Sequence, residues 1–122
     1  MFPIAPLILG YVSLMLLRQI FDPQLAHYAY LVGCQQSGNA LIIDPERDID
    51  RYREVARDNG LRISAVAETH IHADFVSGTR EFAEDRDIHL YLSAMGGPDW
   101  TYRWPGRRPN THFLEHGDRF MI

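Results

Sequence analysis

The run Glu68-Thr69-His70-Ile71-His72-Ala73-Asp74-Phe75-Val76-Ser77-Gly78 sets two imidazoles and a carboxylate at positions i, i+2 and i+4. In an extended backbone alternate side chains point the same way, so His70, His72 and Asp74 are expected to project into one pocket. Neutral imidazole suits zinc, iron, copper or nickel. With a carboxylate it makes the mixed nitrogen and oxygen set typical of zinc or non-haem Fe(II). A His-x-His pair alone also arises by chance on a solvated turn. Two features favour metal ligation here: Asp74 at the next alternate position, and the apolar run from Leu61 to Ala67 just upstream. A buried strand that ends in ligand-type residues is how open α/β sheets present their sites.

The elements that must position this run are readable on both sides of it. Leu16 to Phe21 reads as a strand and Asp22-Pro23 as a turn. Tyr28 to Cys34, rich in aromatic and β-branched residues, reads as a second strand, with Gln35 to Asn39 as a short hairpin connection. Ala40 to Ile43 is a third strand, stopped by Asp44-Pro45 because proline cannot donate to a ladder. A carboxylate at the end of a buried strand is costly unless it is paired. Asp44 therefore either braces a neighbouring loop by accepting N–H bonds or caps the following helix. That helix is expected from Asp48 to Asn59, with Ile49, Tyr52, Val55 and Ala56 as its apolar stripe, Asp48 as N-cap and Gly60 as its stop. Leu61 to Thr69 is a fourth strand that leads into the histidine run.

Beyond it, Ser77-Gly78 opens a second helix ending near Asp85, with Phe82 and Ala83 facing inward. Ile88 to Leu92 is a fifth strand, and its His89 reads as a structural histidine. His112 and His116 have no other ligand-type residue at a useful spacing. Leu114 to Asp118 reads as a turn between two strands, the second running to Ile122.

Composition narrows the class. The 122 residues make one small domain or part of a larger one, and a hydrophobic fraction of 46% is that of a globular chain. All 12 basic residues are arginine, and the net charge of −4 argues against nucleic-acid binding, which needs a concentrated basic surface. The one local basic cluster is Arg103, Arg107 and Arg108, interleaved with Trp100, Tyr102 and Trp104. Such a stretch can stack on bases or hold an anionic ligand; a proline-rich surface loop is the reading preferred. The single Cys34 excludes an internal disulfide, fits a reducing, cytoplasmic setting, and reads as a buried, inert thiol. Residues 1–17 carry no charge, but Pro3, Pro6 and Gly10 weaken them as a helix, and a membrane span needs about 20 apolar residues. Translation from Met15 is the favoured reading, leaving 1–14 as an extension and 15–122 as the domain; membrane association through 1–17 is the second reading.

The order strand, strand, strand, helix, strand, then His-x-His-x-Asp at a strand end resembles the first half of the metallo-β-lactamase superfamily. The fuller run from Arg18-Gln19-Ile20-Phe21-Asp22 to Gly117-Asp118 is similar to its persulfide dioxygenase (sulfur dioxygenase) branch, many members of which carry a rhodanese module downstream. The resemblance implies an α/β (α+β) fold: the N-terminal half of an αββα sandwich, a mixed sheet with helices on one face. Phe75 stands where the superfamily pattern has a final histidine, which weakens a second metal site and with it a two-zinc hydrolase. By resemblance the branch uses one Fe(II), held by two histidines and an aspartate, to oxidise glutathione persulfide to sulfite. His70 then matches the first of those ligands, while His72 and Asp74 orient ligands or ordered water, or serve as alternative ligands. Asp44 is a structural neighbour of the site. The remaining ligands fall after residue 122 in the family, so the chain alone is expected to be a truncated, inactive piece whose missing C-terminal half would cover the open sheet face. The alternatives are a zinc-dependent thioester hydrolase of the glyoxalase II type, and a non-catalytic fragment or half of a split domain.

Overall fold

The computed structural model describes residues 14–122. The extension at 1–14 therefore lies, except for Leu14, outside the described residues, as does most of the proposed membrane segment. Among the described residues no helix is long and apolar enough to cross a membrane.

Six strands form one sheet in chain order: β1 (Met15–Asp22), β2 (His27–Cys34), β3 (Asn39–Ile43), β4 (Arg62–Ala67), β5 (His89–Ser93) and β6 (Thr111–Leu114). The first three pair antiparallel as a meander. The next three are added in parallel, each after a crossover that reverses the chain without a hairpin. Asp22 fixes the first turn by accepting the Gln24 and Leu25 amides on Oδ1, at 2.8 and 3.1 Å.

The first crossover is helix α1 (Asp50–Asp58). Its apolar stripe seats Tyr52 and Ala56 against Leu31, Ile42, Ile63, Val66 and Leu90, which alternate with outward residues along their strands. The expected start at Asp48 is corrected: Ile49 occupies the N-cap in helical geometry and no side chain caps it. The stop at Gly60 stands, with φ +69 and Leu61 N–H donating back to Ala56 O at 2.9 Å. The second helix is shorter than expected, a single turn α2 (Thr79–Phe82), because Glu84 and Asp85 fold back onto the carbonyls of Glu81 and Phe82. Phe82 is fully buried in the same core. The fourth strand ends two residues early, at Ala67, and residues 119–122 form no strand.

Both helices contact the same side of the sheet. The other side carries a smaller cluster, Leu41, Ala65 and Tyr91, flanked by Val32, Ile43, Ala67 and Leu114. On it Tyr91 stacks between Phe120 and His112, at 3.8 and 4.8 Å between ring centroids. Cys34 is half-buried rather than buried, and hydrogen bonding with Ser37 holds its thiol below the usual range.

His89 and His112 meet across β5 and β6, with Nδ1 2.9 Å from Nε2. One ring donates and the other accepts, an arrangement that fails if both are protonated. Burial, and then the neighbouring His89, hold the His112 imidazole below the usual histidine range. A lowered folded-state value means the unfolded chain binds the proton first as pH falls. The stability this pair contributes is present above the free-imidazole value of about 6.5 and is lost progressively as pH falls from there through the lower folded-state value. The urea midpoint should therefore fall between about pH 8 and pH 5.5, and His112→Phe should flatten that slope. An unchanged slope in the variant would refute the assignment.

Candidate functional site

The carboxyl ends of the parallel strands converge on one edge: Asp44 after β3, Glu68 to His72 after β4, and Ser93 to Met95 after β5. Asp44 is the organising group. It is 6% exposed and held in the left-handed region at φ +53, a conformation that aspartate tolerates better than most residues. Its Oδ1 accepts the Thr69 amide at 2.8 Å and faces His72 Nε2 at 2.9 Å, while Oδ2 accepts the Thr69 hydroxyl at 2.6 Å. Of the two roles open to Asp44, loop bracing is the one observed; it does not cap α1.

This network fixes both imidazole tautomers. His72 faces a carboxylate oxygen, so its Nε2 carries hydrogen and Nδ1 keeps the lone pair. The one Thr69 hydroxyl hydrogen goes to Asp44, so at 2.8 Å from Thr69 Oγ1 it is His70 Nδ1 that donates, leaving Nε2 with the lone pair. The two rings lie 4.2 Å apart between centroids. His70 is exposed, whereas the His72 side chain is only 3% exposed. Two imidazoles, each backed through one nitrogen and presenting the other, suit a borderline divalent cation.

Asp74 does not join them. The backbone after Ala67 leaves the strand conformation, so the alternation expected across 70, 72 and 74 does not operate. Asp74 is exposed, with no hydrogen bond or ion pair to either imidazole. The two histidines are brought together by a loop, not by a strand. Phe75 packs instead against His72 and His27, at 4.4 and 4.3 Å between ring centroids. His27 in turn bonds the Asp44 carbonyl through Nε2 at 2.8 Å. Among the described residues, no three His, Cys, Asp or Glu side chains are arranged to hold a metal ion.

The loop is anchored at its far end. Gly78 N–H donates to Pro45 O at 2.8 Å, and Glu46 and Ser77 form an isolated bridge. Glu68 accepts the Ser77 and Thr79 hydroxyls on Oε1. Behind the anchor, Arg51 bonds both Asp22 and Glu46, at 2.9 and 3.3 Å. The Arg51 guanidinium lowers the Asp22 carboxyl, whereas burial and the Asp22 charge raise that of Glu46. The sequence did not single out Thr69, His27, Glu68 or Glu46 for the site. Only the strand-end position of Glu68-Thr69 hinted at two of them.

A cleft of about 640 Å³ opens beside His72, lined by Glu68, Arg80, Asp99, Tyr102, Arg103 and Trp104 among others. A smaller one of about 240 Å³ reaches His70, with Ile71 and Tyr102 lining both.

Comparison with known proteins fits this architecture. The sequence is 38% identical over 65 residues to the mitochondrial persulfide dioxygenase ETHE1 of Bos taurus, covering 52% of this chain and 26% of that protein. It is 35% identical over 65 residues, 52% of this chain and 24% of the relative, to a hydroxyacylglutathione hydrolase of Nitrosococcus oceani. The chain thus spans about a quarter of the length of these relatives. Among solved structures, a metallo-beta-lactamase from Staphylococcus aureus matches with a TM-score of 0.80 and 41% identity, over 88% of this chain and 32% of that one. ETHE1 from Myxococcus xanthus matches with a TM-score of 0.71 and 27% identity, over 88% of this chain and 44% of that one. The sequence pattern of the metallo-beta-lactamase superfamily matches residues 22–120, and on that span the chain belongs to this superfamily.

Proposed function

We propose that the chain forms the N-terminal part of a persulfide dioxygenase of the metallo-beta-lactamase superfamily, with His70 Nε2 as a ligand of one Fe(II). The observation that carries the reading is Phe75. An apolar ring fills the space between His27 and His72, where the superfamily pattern has a further imidazole. That disfavours two metals and suits one. Bound iron would supply the redox chemistry and open positions for oxygen and a persulfide. The chain's own residues do the positioning: Asp44 holds His72 directly and His70 through Thr69, and Phe75 packs against the His72 ring. The natural substrate on this reading is glutathione persulfide, and Asp74 and His72 Nδ1 are alternative ligands or hold ordered water.

The test is metal content and turnover of a purified full-length homologue that contains this segment. Roughly one iron per chain with persulfide-dependent oxygen uptake is expected; two zinc ions with thioester hydrolysis would overturn the reading in favour of the hydrolase, which the hydroxyacylglutathione hydrolase relative keeps as the second candidate. Phe75→His should raise zinc retention, and unchanged metal content in that variant would show that Phe75 does not set the metal number. The 122 residues alone offer too few free ligand atoms for a tight site. The isolated chain is expected to retain no stoichiometric iron on gel filtration and to consume no oxygen with glutathione persulfide.

A further inference from the structure

Asp44 carries two backbone constraints at once: it sits in the left-handed region at φ +53, and it precedes Pro45. A residue before proline is ordinarily confined to extended backbone, because the proline ring crowds its N–H and Cβ. An outlier of this kind persists only where its surroundings fix it. Two bonds fix the two ends of residue 44. Its N–H donates to Ala67 O at 2.9 Å, and its carbonyl lies 2.8 Å from His27 Nε2. A carbonyl only accepts, so His27 Nε2 carries hydrogen and donates. The turn between β1 and β2 sets His27 where it can do this. His27 pairs with Asp22, whose Oδ1 closes the turn, and it follows Ala26, itself left-handed at φ +48. The ring is half-buried, with Phe75 at 4.3 Å and His72 at 5.7 Å between ring centroids.

We infer that His27 is a remote positioning residue of the histidine loop, acting on His72 and His70 through the backbone of Asp44. With the carbonyl held, the Asp44 side chain leaves the strand end toward Thr69 and His72, where its carboxylate makes the bonds that fix both imidazoles. Without the donor, residue 44 relaxes toward the extended backbone that Pro45 favours. That rotation carries the carboxylate away from Thr69 and His72, and the tautomers of the two rings are no longer set. The N–H matters here more than the ring. Phe75 meets His72 at 4.4 Å without help from His27, whereas no other side chain donates to the Asp44 carbonyl among the described residues.

Two substitutions separate the parts of the side chain. In His27→Gln the amide nitrogen reaches about as far as Nε2 and still donates, but the ring is gone. His27→Met has similar length and no donor. Thr69 amide exchange is read against the β2 and β3 amides, which report the sheet itself, and imidazole nitrogen NMR reads the His70 and His72 tautomers. In His27→Met, Thr69 should exchange at least about tenfold faster relative to those strand amides, and both imidazoles should become tautomer mixtures. His27→Gln should keep wild-type exchange and tautomers. A side chain that only filled space would shift all the amides together. Wild-type tautomers and exchange in His27→Met would overturn the inference, and so would a His27→Gln protein that behaves like His27→Met. The wild-type ring supplies a check that needs no substitution: hydrogen is expected on Nε2, and a His27 with hydrogen on Nδ1 alone would also overturn it. In a full-length homologue His27→Met should lower iron affinity about tenfold, an arm that rests on the metal reading above. Tautomer loss with unchanged iron affinity would sink that reading and support the positioning role.

Discussion

Asp44→Asn is expected to lower stability by about 2–3 kcal/mol and, in a full-length homologue, to weaken the proposed metal binding roughly ten- to a hundredfold. Asparagine tolerates the left-handed backbone at this position, so the substitution probes chemistry rather than strain. Three hydrogens converge on the carboxylate: the Thr69 amide and His72 Nε2–H on Oδ1, and the Thr69 hydroxyl on Oδ2. An amide group can accept on one side only. With its oxygen at the Oδ1 position, its NH₂ faces Thr69 Oγ1, which must then accept and turn its own hydrogen toward His70 Nδ1. His70 is thereby switched to the tautomer with hydrogen on Nε2, the nitrogen proposed to bind metal. Imidazole nitrogen NMR reads this directly. A His70 tautomer that is the same in both proteins would refute the relay through Thr69, whatever the stability change.

Gly78→Ala should destabilise the fold by about 3 kcal/mol and loosen the histidine loop. Gly78 has an ordinary negative φ, so no left-handed backbone enters the argument. The cause is contact: an added Cβ collides with the Glu46 carbonyl and lies 2.8 Å from Ile49 Cγ2. Neither can yield easily, because Glu46 N–H is bonded to the buried Tyr52 hydroxyl at 2.8 Å and Ile49 is the N-cap of α1. Relief requires residues 77–78 to move away from Pro45 and Glu46, which breaks the Glu46–Ser77 bridge and shifts Glu68. Urea unfolding gives the stability change, and amide exchange at Gly78 gives the loosening. Wild-type exchange at that amide in a destabilised variant would show that the loop is anchored elsewhere.

These two sites show what a sequence reading reaches. The strands were legible because β-branched and aromatic runs end at turn residues, and α1 because Ile49, Tyr52, Val55 and Ala56 recur at helical spacing. The start of α1 was not legible: Asp48 is a good capping residue by type, yet the chain takes helical angles at Ile49 without it. The histidine pair was found from spacing, but for a reason that does not hold, since the run is a loop and Asp74 faces solvent. Phe75 was legible from the sequence as an apolar ring inside the histidine run, and it packs against His72 and His27 there. The Asp44 network was half legible: a buried carboxylate needs partners, but those partners, Thr69 and His72, sit 25 and 28 positions away. The His89–His112 pair, separated by 23 positions, was missed for the same reason.

The strand order has a kinetic consequence. β1, β2 and β3 meet their neighbours through short turns, whereas β3 meets β4 only after the α1 crossover closes. Contacts of small sequence separation form with little loop entropy, and distant ones follow. The meander can thus assemble first and carry Asp44 at its end, with the bonds to Thr69 and His72 made afterwards. Asp44 substitutions should then accelerate unfolding far more than they slow folding, which a chevron plot would read as a φ-value near zero. The edge that carries the two histidines would be the last part of this sheet to assemble and the first to open.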